Sequence, residues 1–188
     1  MSSSSCSKKT NASPSRRGWR WAVLGCLLVS SLCSAASWRD ELPQAVTLGE
    51  GDLRFLGFRI YHATLWAEQR PLQPDGEFAL QLRYYRSISR QRLVQTSLDE
   101  MVRLSRTSID AATLAQWNST LSQAFTDVAP DDELVAVHLP GHGMRLYNRQ
   151  RLLADIADTR LARAFFGIWL DEKTRDQGLR RQLMGLPP

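Results

Sequence analysis

Residues 53–66 read LRFLGFRIYHATLW. The stretch contains no proline and is dense in aromatic and β-branched residues. One alternating set holds Leu53, Phe55, Tyr61 and Leu65; the other holds Leu56, Phe58, Ile60 and Trp66. Both sets are largely apolar, so the pattern predicts one long strand covered on each face. Two charges interrupt it, Arg54 and Arg59, which that strand would carry on opposite faces.

Working outward, Val46-Thr47-Leu48 before Gly49 and Gly51 predicts a short strand and a turn. Pro71, Pro74, Asp75 and Gly76 break the chain after Trp66. Phe78, Leu80, Leu82 and Tyr84 then alternate with Ala79, Gln81 and Arg83, a strand with one drier face. Beyond it the period changes to helical. Ser89 is placed to cap a helix carrying Leu93, Val94, Leu98 and Met101 to about Arg106. Asp110 is placed to cap a second, with Leu114, Trp117, Leu121 and Phe125 in its stripe. Strands are expected over Glu133–Leu139 and Met144–Asn148, joined by Pro140-Gly141-His142-Gly143. Asp158 caps a third helix whose apolar face holds Leu161, Phe165, Ile168 and Trp169, with Phe166 off that face and free to line a ligand space or a second contact. A final short helix runs from about Gln177 to Met184. Strands followed by helices, twice over, predict an α+β domain with helices packed on an antiparallel sheet.

The first 36 residues read differently. A Ser-rich segment carries Lys8, Lys9, Arg16, Arg17 and Arg20 and no acid; an apolar run, Trp21–Leu32, follows; then come Ser34, Ala35 and Ala36. That order marks a secretory signal peptide cleaved before Ser37, and the run is shorter than a membrane-spanning helix requires. Residues 37–188 are then the mature domain, periplasmic or secreted. Ser15-Arg16-Arg17 leaves twin-arginine export open beside the general route. The whole chain has 24 Lys+Arg against 19 Asp+Glu. All five leader charges are basic, so the mature part is formally neutral and nucleic acid is not an expected partner. Cys6, Cys26 and Cys33 also lie in the leader, which excludes disulfides, thiolate metal sites and a cysteine nucleophile from the mature domain.

Within that domain, His138 and His142 stand four apart but at a strand end and in a Gly-rich turn rather than on a helix, so with His62 they do not form the helical pair of a metal site, although His138 and His142 are close enough in sequence to meet across their turn. No metal or cofactor is expected. No G-x-S-x-G elbow occurs, and the glycines at 49 and 51 open no helix that would cradle phosphate. The arginines are more informative. A guanidinium inside an apolar strand is costly unless it is paired or reached by water. Arg54 and Arg59 therefore have two readings. One is a structural ion pair with Asp52 or Glu77. The other is a cleft contact to an anionic head group, with Tyr61 or Tyr84 as a hydroxyl partner. One of the two arginines, with Tyr61 or Tyr84, is thus a candidate ligand contact.

FRIYHATLW, FALQLRYYRSIS, SLDEM, FTDVAPDDEL and AFFGIWLDEKTRDQGLRRQLMG occur here in an order and spacing that resemble the bacterial chalcone isomerase-like proteins, exported relatives of plant chalcone isomerase. The resemblance implies an open-faced β-sandwich, a large antiparallel sheet covered by a layer of helices. It also implies a choice of function. Plant members close a chalcone to a flavanone, with an arginine, a threonine and a tyrosine steadying the enolate. Arg54 lies near that arginine, so the resemblance makes Arg54, with Tyr61 and Tyr84, the candidate ligand-binding set, whereas Leu56 stands where the threonine is expected and cannot donate a hydrogen bond. Other relatives are not isomerases and bind fatty acids or haem. The leading expectation is therefore an exported, non-catalytic binder of a small amphipathic ligand. An isomerase of unsaturated carbonyl compounds and an envelope protein acting through partner contacts stand as alternatives. A hydroxyl residue such as Thr64 beside Arg54 would favour the enzyme, and a sealed, fully packed interior would favour the partner-contact protein.

Overall fold

The computed structural model describes residues 37–73 and 75–187; the leader reading lies outside them. A four-residue helix, α1 (Trp38–Glu41), comes first, capped by Ser37 in a box that Asp40 completes. Strands β1 (Val46–Phe55), β2 (Phe58–Ala67) and β3 (Phe78–Tyr84) follow, then helices α2 (Arg90–Leu104) and α3 (Ala111–Ala124). Strands β4 (Glu133–Leu139), β5 (Gly143–Tyr147) and β6 (Leu152–Ile156) continue the chain, which closes with α4 (Thr159–Leu170) and α5 (Gln177–Leu183). Among the described residues the strands form one six-stranded sheet in the order β1-β2-β3-β4-β5-β6, every neighbouring pair antiparallel. The helices α2 and α3 are thus an excursion between two adjacent strands. This is the expected α+β architecture, an open sheet with a helical layer.

The expected single strand over residues 53–66 is broken at Leu56-Gly57 by a hairpin turn, with the end of β1 before it and β2 after it. Leu56 (φ 49°) and Gly57 (φ 81°) both sit in the left-handed region. Two such residues between antiparallel strands make the tight turn whose twist matches its flanks. The usual Asn-Gly signal is missing, so the apolar run concealed the break. The short strand and glycine turn expected before it are likewise one long strand. Gly49 and Gly51 lie inside β1 because α5 rests on them: a Cβ at Gly49 would meet the carbonyl oxygens of Gln182 and Leu183, and one at Gly51 the Gln182 side chain.

The core lies between sheet and helices. Alternate sheet residues (Ala63 and Leu65 of β2; Phe78, Leu80 and Leu82 of β3; Ala136, Met144 and Leu146 beyond) face Val94, Leu98, Met101, Trp117, Leu121, Phe165 and Leu183. The three longer helices begin where local hydrogen bonding predicts: Ser89, Asp110 and Asp158 each accept from a backbone amide of the following turn. Asp158 also accepts from Trp117 Nε1 at 3.2 Å, which joins two helices through one cap. Phe166 is not off the packed face as expected. It is 3 % exposed and stacks edge-on against Phe78 at 4.8 Å and Phe165 at 5.7 Å.

The opposite face is covered in part by α1, which sequence periodicity did not reveal. Trp38 and Leu42 pack with Ala79, Val135, Val137 and Tyr147 in a second cluster. Glu41 fastens the helix by accepting from Arg145 Nη1 and from the Tyr147 hydroxyl, each at 2.7 Å. The two turn histidines do not meet. His138 Nδ1 lies 2.8 Å from the Gly76 carbonyl, and His142 pairs with Asp155 of the unexpected edge strand β6.

Candidate ligand cavity

A cavity of about 630 Å³ opens between the sheet and the helical layer. Leu80, Leu82, Leu134, Ala136 and Leu146 form its floor, and Leu93, Phe165, Ile168, Trp169 and Leu179 its roof. The floor residues are the inward set of three neighbouring strands, in register across the ladder as Leu80↔Ala136↔Leu146 and Leu82↔Leu134. That register makes a continuous apolar strip. The face of α4 holding Phe165, Ile168 and Trp169 is therefore both core and cavity roof. Volume and lining fall in the range of small-molecule sites, apolar with few convergent polar groups.

Arg54, Arg92, Thr96, Asp99, Glu100, Arg175 and Asp176 are among the polar residues of the cavity lining. Glu100 is committed: it pairs with Arg103 at 2.8 Å and with Arg175 at 2.5 Å. Arg92 has no ion-pair partner among the described residues, and its position on the first turn of α2 was not singled out by its exposed, unremarkable sequence context. Arg54 is 60 % exposed, and its nearest acid is Asp52 at 3.9 Å. Arg59 holds that acid much more closely, with Nε 2.9 Å from Oδ2. The two arginines are not on opposite faces of a covered strand. They are cross-strand neighbours near the hairpin turn, both reached by solvent. The cost of a buried charge does not arise.

Asp52 also receives Tyr85 OH at 3.2 Å and lies 2.9 Å from His62 Nδ1. Burial would raise this carboxyl, but the bonds from His62, Arg59 and Tyr85 outweigh it and hold Asp52 below the usual range. This network occupies the strand face away from the cavity. It leaves Arg54 as the loosely held member, at the cavity's edge.

Tyr61 and Tyr84 both line the cavity, their rings edge-to-face at 5.8 Å. Tyr61 OH accepts from Trp169 Nε1 at 2.8 Å, a contact between sheet and roof that no sequence spacing signalled. Among the described residues the Tyr84 hydroxyl makes no hydrogen bond, and it is not sealed in the packing, since no sealed polar side-chain atom there lacks a partner. Burial pushes both phenols well above their ordinary range, so at neutral pH each keeps its proton and can donate to an acceptor in the cavity.

The threonine-like position behaves unexpectedly. Leu56 is in the turn, 80 % exposed, and lines no cavity wall. Thr64 is not beside Arg54 either; it pairs with Glu50 and Gln81 far from the turn. Neither Leu56 nor Thr64 therefore supplies a hydroxyl beside Arg54.

An open antiparallel sheet roofed by helices over an apolar cavity defines an α+β protein of open-faced sandwich architecture. The chain belongs to the chalcone isomerase-like family, whose profile matches residues 53–185. Among solved structures it is similar to a fatty-acid binding protein of Arabidopsis thaliana, at 12 % identity and a TM-score of 0.58, over 80 % of this chain and 89 % of that one. That likeness is one of fold. No curated protein sequence matches the chain. Among the described residues, no helix is long and apolar enough to cross a membrane.

Proposed function

We propose that this protein is a non-catalytic binder of a small amphipathic ligand with an apolar tail and an anionic head, of the fatty-acid kind. The cavity carries the proposal: about 630 Å³ of space over an apolar strip, with Arg54 and Arg92 in its lining and Glu100 already paired with Arg175. The tail lies along Leu80, Leu82, Ala136 and Leu146. The head sits at the edge, within reach of Arg54 or Arg92 and of the Tyr84 hydroxyl. Guanidinium and phenol are both donors there, which suits a carboxylate. The similarity in fold to a plant fatty-acid binding protein supports this reading. The isomerase alternative is weakened by Leu56 and Thr64, neither of which brings a donor to Arg54. The alternative without a ligand is weakened by the open interior.

Export completes the proposal. The order of basic, apolar and small residues before Ser37 supports a cleaved leader and a periplasmic or secreted bacterial domain. N-terminal sequencing of the protein from the cell envelope should read Ser37 first.

The ligand reading is tested by displacement of a fluorescent fatty acid from delipidated protein. Micromolar binding is expected, weakened about tenfold by Arg54→Ala together with Arg92→Ala and abolished by Ala136→Trp, which fills the floor. Native mass spectra of protein prepared without detergent should show a co-purifying acid. Protein that stays empty in both measurements would overturn the proposal, and turnover of a chalcone would restore the enzyme.

A further inference from the structure

The hairpin turn presents an apolar surface that the fold does not use. Phe55, Leu56 and Phe58 are 64 %, 80 % and 56 % exposed. Leu56 does so in the left-handed region, which a β-carbon disfavours and which asparagine or glycine would fill more easily. Packing does not explain a large apolar side chain there. Cations surround it. Arg54 and Arg59 flank the turn with side chains 60 % and 47 % exposed, and the Arg86 guanidinium stands 4.4 Å from the Phe58 ring centre. The nearest acid, Asp52, is 21 % exposed and already held by Arg59 and His62. Pro130 edges the same recess, with Asp131 and Asp132 following it on the next loop.

We propose that the β1–β2 turn is a membrane-contact finger: Phe55, Leu56 and Phe58 insert into the interface of a bilayer while Arg54, Arg59 and Arg86 meet its anionic headgroups. The shape favours a bilayer over a protein. Three side chains around a two-residue turn cover far less than the roughly 800 Å² per partner of a stable protein interface. A compliant interface needs only a small apolar insertion with basic neighbours. The finger also stands beside the cavity, since Arg54 and Phe55 belong to the cavity lining as well as to the turn. A bilayer engaged here would lie against the cavity where Arg54 and Phe55 border it. The inference goes beyond the ligand reading and does not rest on it.

Hydrogen exchange of the full chain with vesicles tests the finger directly, because it reports where the contact falls even if residues 1–36 also bind lipid. With phosphatidylglycerol–phosphatidylcholine vesicles, the amides of residues 54–59 should slow by about fivefold or more, and far less with phosphatidylcholine alone. Leu56→Asp should remove that protection. Leu56→Asn, which suits the turn, should remove most of it in a chain that keeps its fold. Unchanged exchange at the turn in vesicle-bound protein, or no vesicle binding at all, would overturn the proposal. So would protection that grows with protein concentration in the absence of lipid, which would identify a second copy as the occupant. Fatty-acid displacement is measured without vesicles, so failure of the ligand reading and failure of the finger are separate results.

Discussion

At position 56 two preferences conflict. A leucine at φ 49° gives up roughly 1–2 kcal/mol relative to a right-handed or extended conformation, and its side chain recovers nothing by burial at 80 % exposure. Leu56→Asn should therefore stabilise the fold by about 1 kcal/mol, since asparagine tolerates this conformation without glycine's extra unfolded-state entropy. A urea midpoint that rises with an unchanged slope is the expected result; a lower midpoint would mean that Leu56 makes a stabilising contact. Other single positions were legible without any structure. Ser89, Asp110 and Asp158 cap helices because the bonds they make span three residues, all visible in one short window. Leu56 was not legible, because its neighbours on both sides continue the apolar run and nothing local marks the turn.

The contact between α5 and β1 shows how an element depends on what lies across from it. Glycine inside a strand ordinarily weakens it, so alanine would be an improvement if nothing faced the position. At Gly49 the carbonyl oxygens of Gln182 and Leu183 face it, and backbone cannot move aside as a side chain tip can. Gly49→Ala is expected to cost about 3 kcal/mol and to speed hydrogen exchange across α5 before the rest of the fold responds. Native-like protection in α5 of that variant would refute this packing. The same logic accounts for the missed α1. Four residues carry too short a pattern to register as periodic, and the helix is held by Trp38 and Leu42 against the far face of the sheet and by Glu41 against Arg145 and Tyr147, more than a hundred residues away. For the longer helices α2, α3 and α4, repeated apolar spacing was enough, because each buries one stripe against one layer.

For the whole molecule, electrostatics predicts a particular acid response. Asp52, Asp110 and Asp155 are all held below their ordinary range: Asp52 by His62, Arg59 and Tyr85 against the opposing effect of burial, Asp110 by the Thr113 amide and hydroxyl, and Asp155 by His142 and then Arg145. Each binds its proton more weakly when folded than when unfolded. Their contribution is complete above the ordinary aspartate value of 3.8 and is lost as pH falls through the lower folded values. The urea midpoint should be nearly flat from neutrality to about pH 5 as far as these groups decide it, then drop steeply below pH 4. Asp52→Asn should lower the midpoint at neutrality and flatten part of the acid drop; an identical acid drop in that variant would show that Asp52 is not one of the groups responsible.

The class of the fold, the helix caps, the inward set of β3 and the family were all settled by the sequence, because each rests on periodicity, on bonds within one turn of helix, or on short motifs. The candidate residues Arg54, Tyr61 and Tyr84 were named from alternation and, for Arg54, from the family resemblance, and the cavity they share appears only when β2, β3 and the hairpin come together in space. Tertiary structure decided the rest. It placed a turn inside LRFLGFRIYHATLW, seated α5 on Gly49, gave Tyr61 to Trp169 across 108 residues of chain, and assigned Asp52 to Arg59 rather than to Arg54. The physical reason is common to all four. Each outcome depends on which distant group reaches a residue first, and a linear pattern contains the preference of every residue but not the identity of its neighbour.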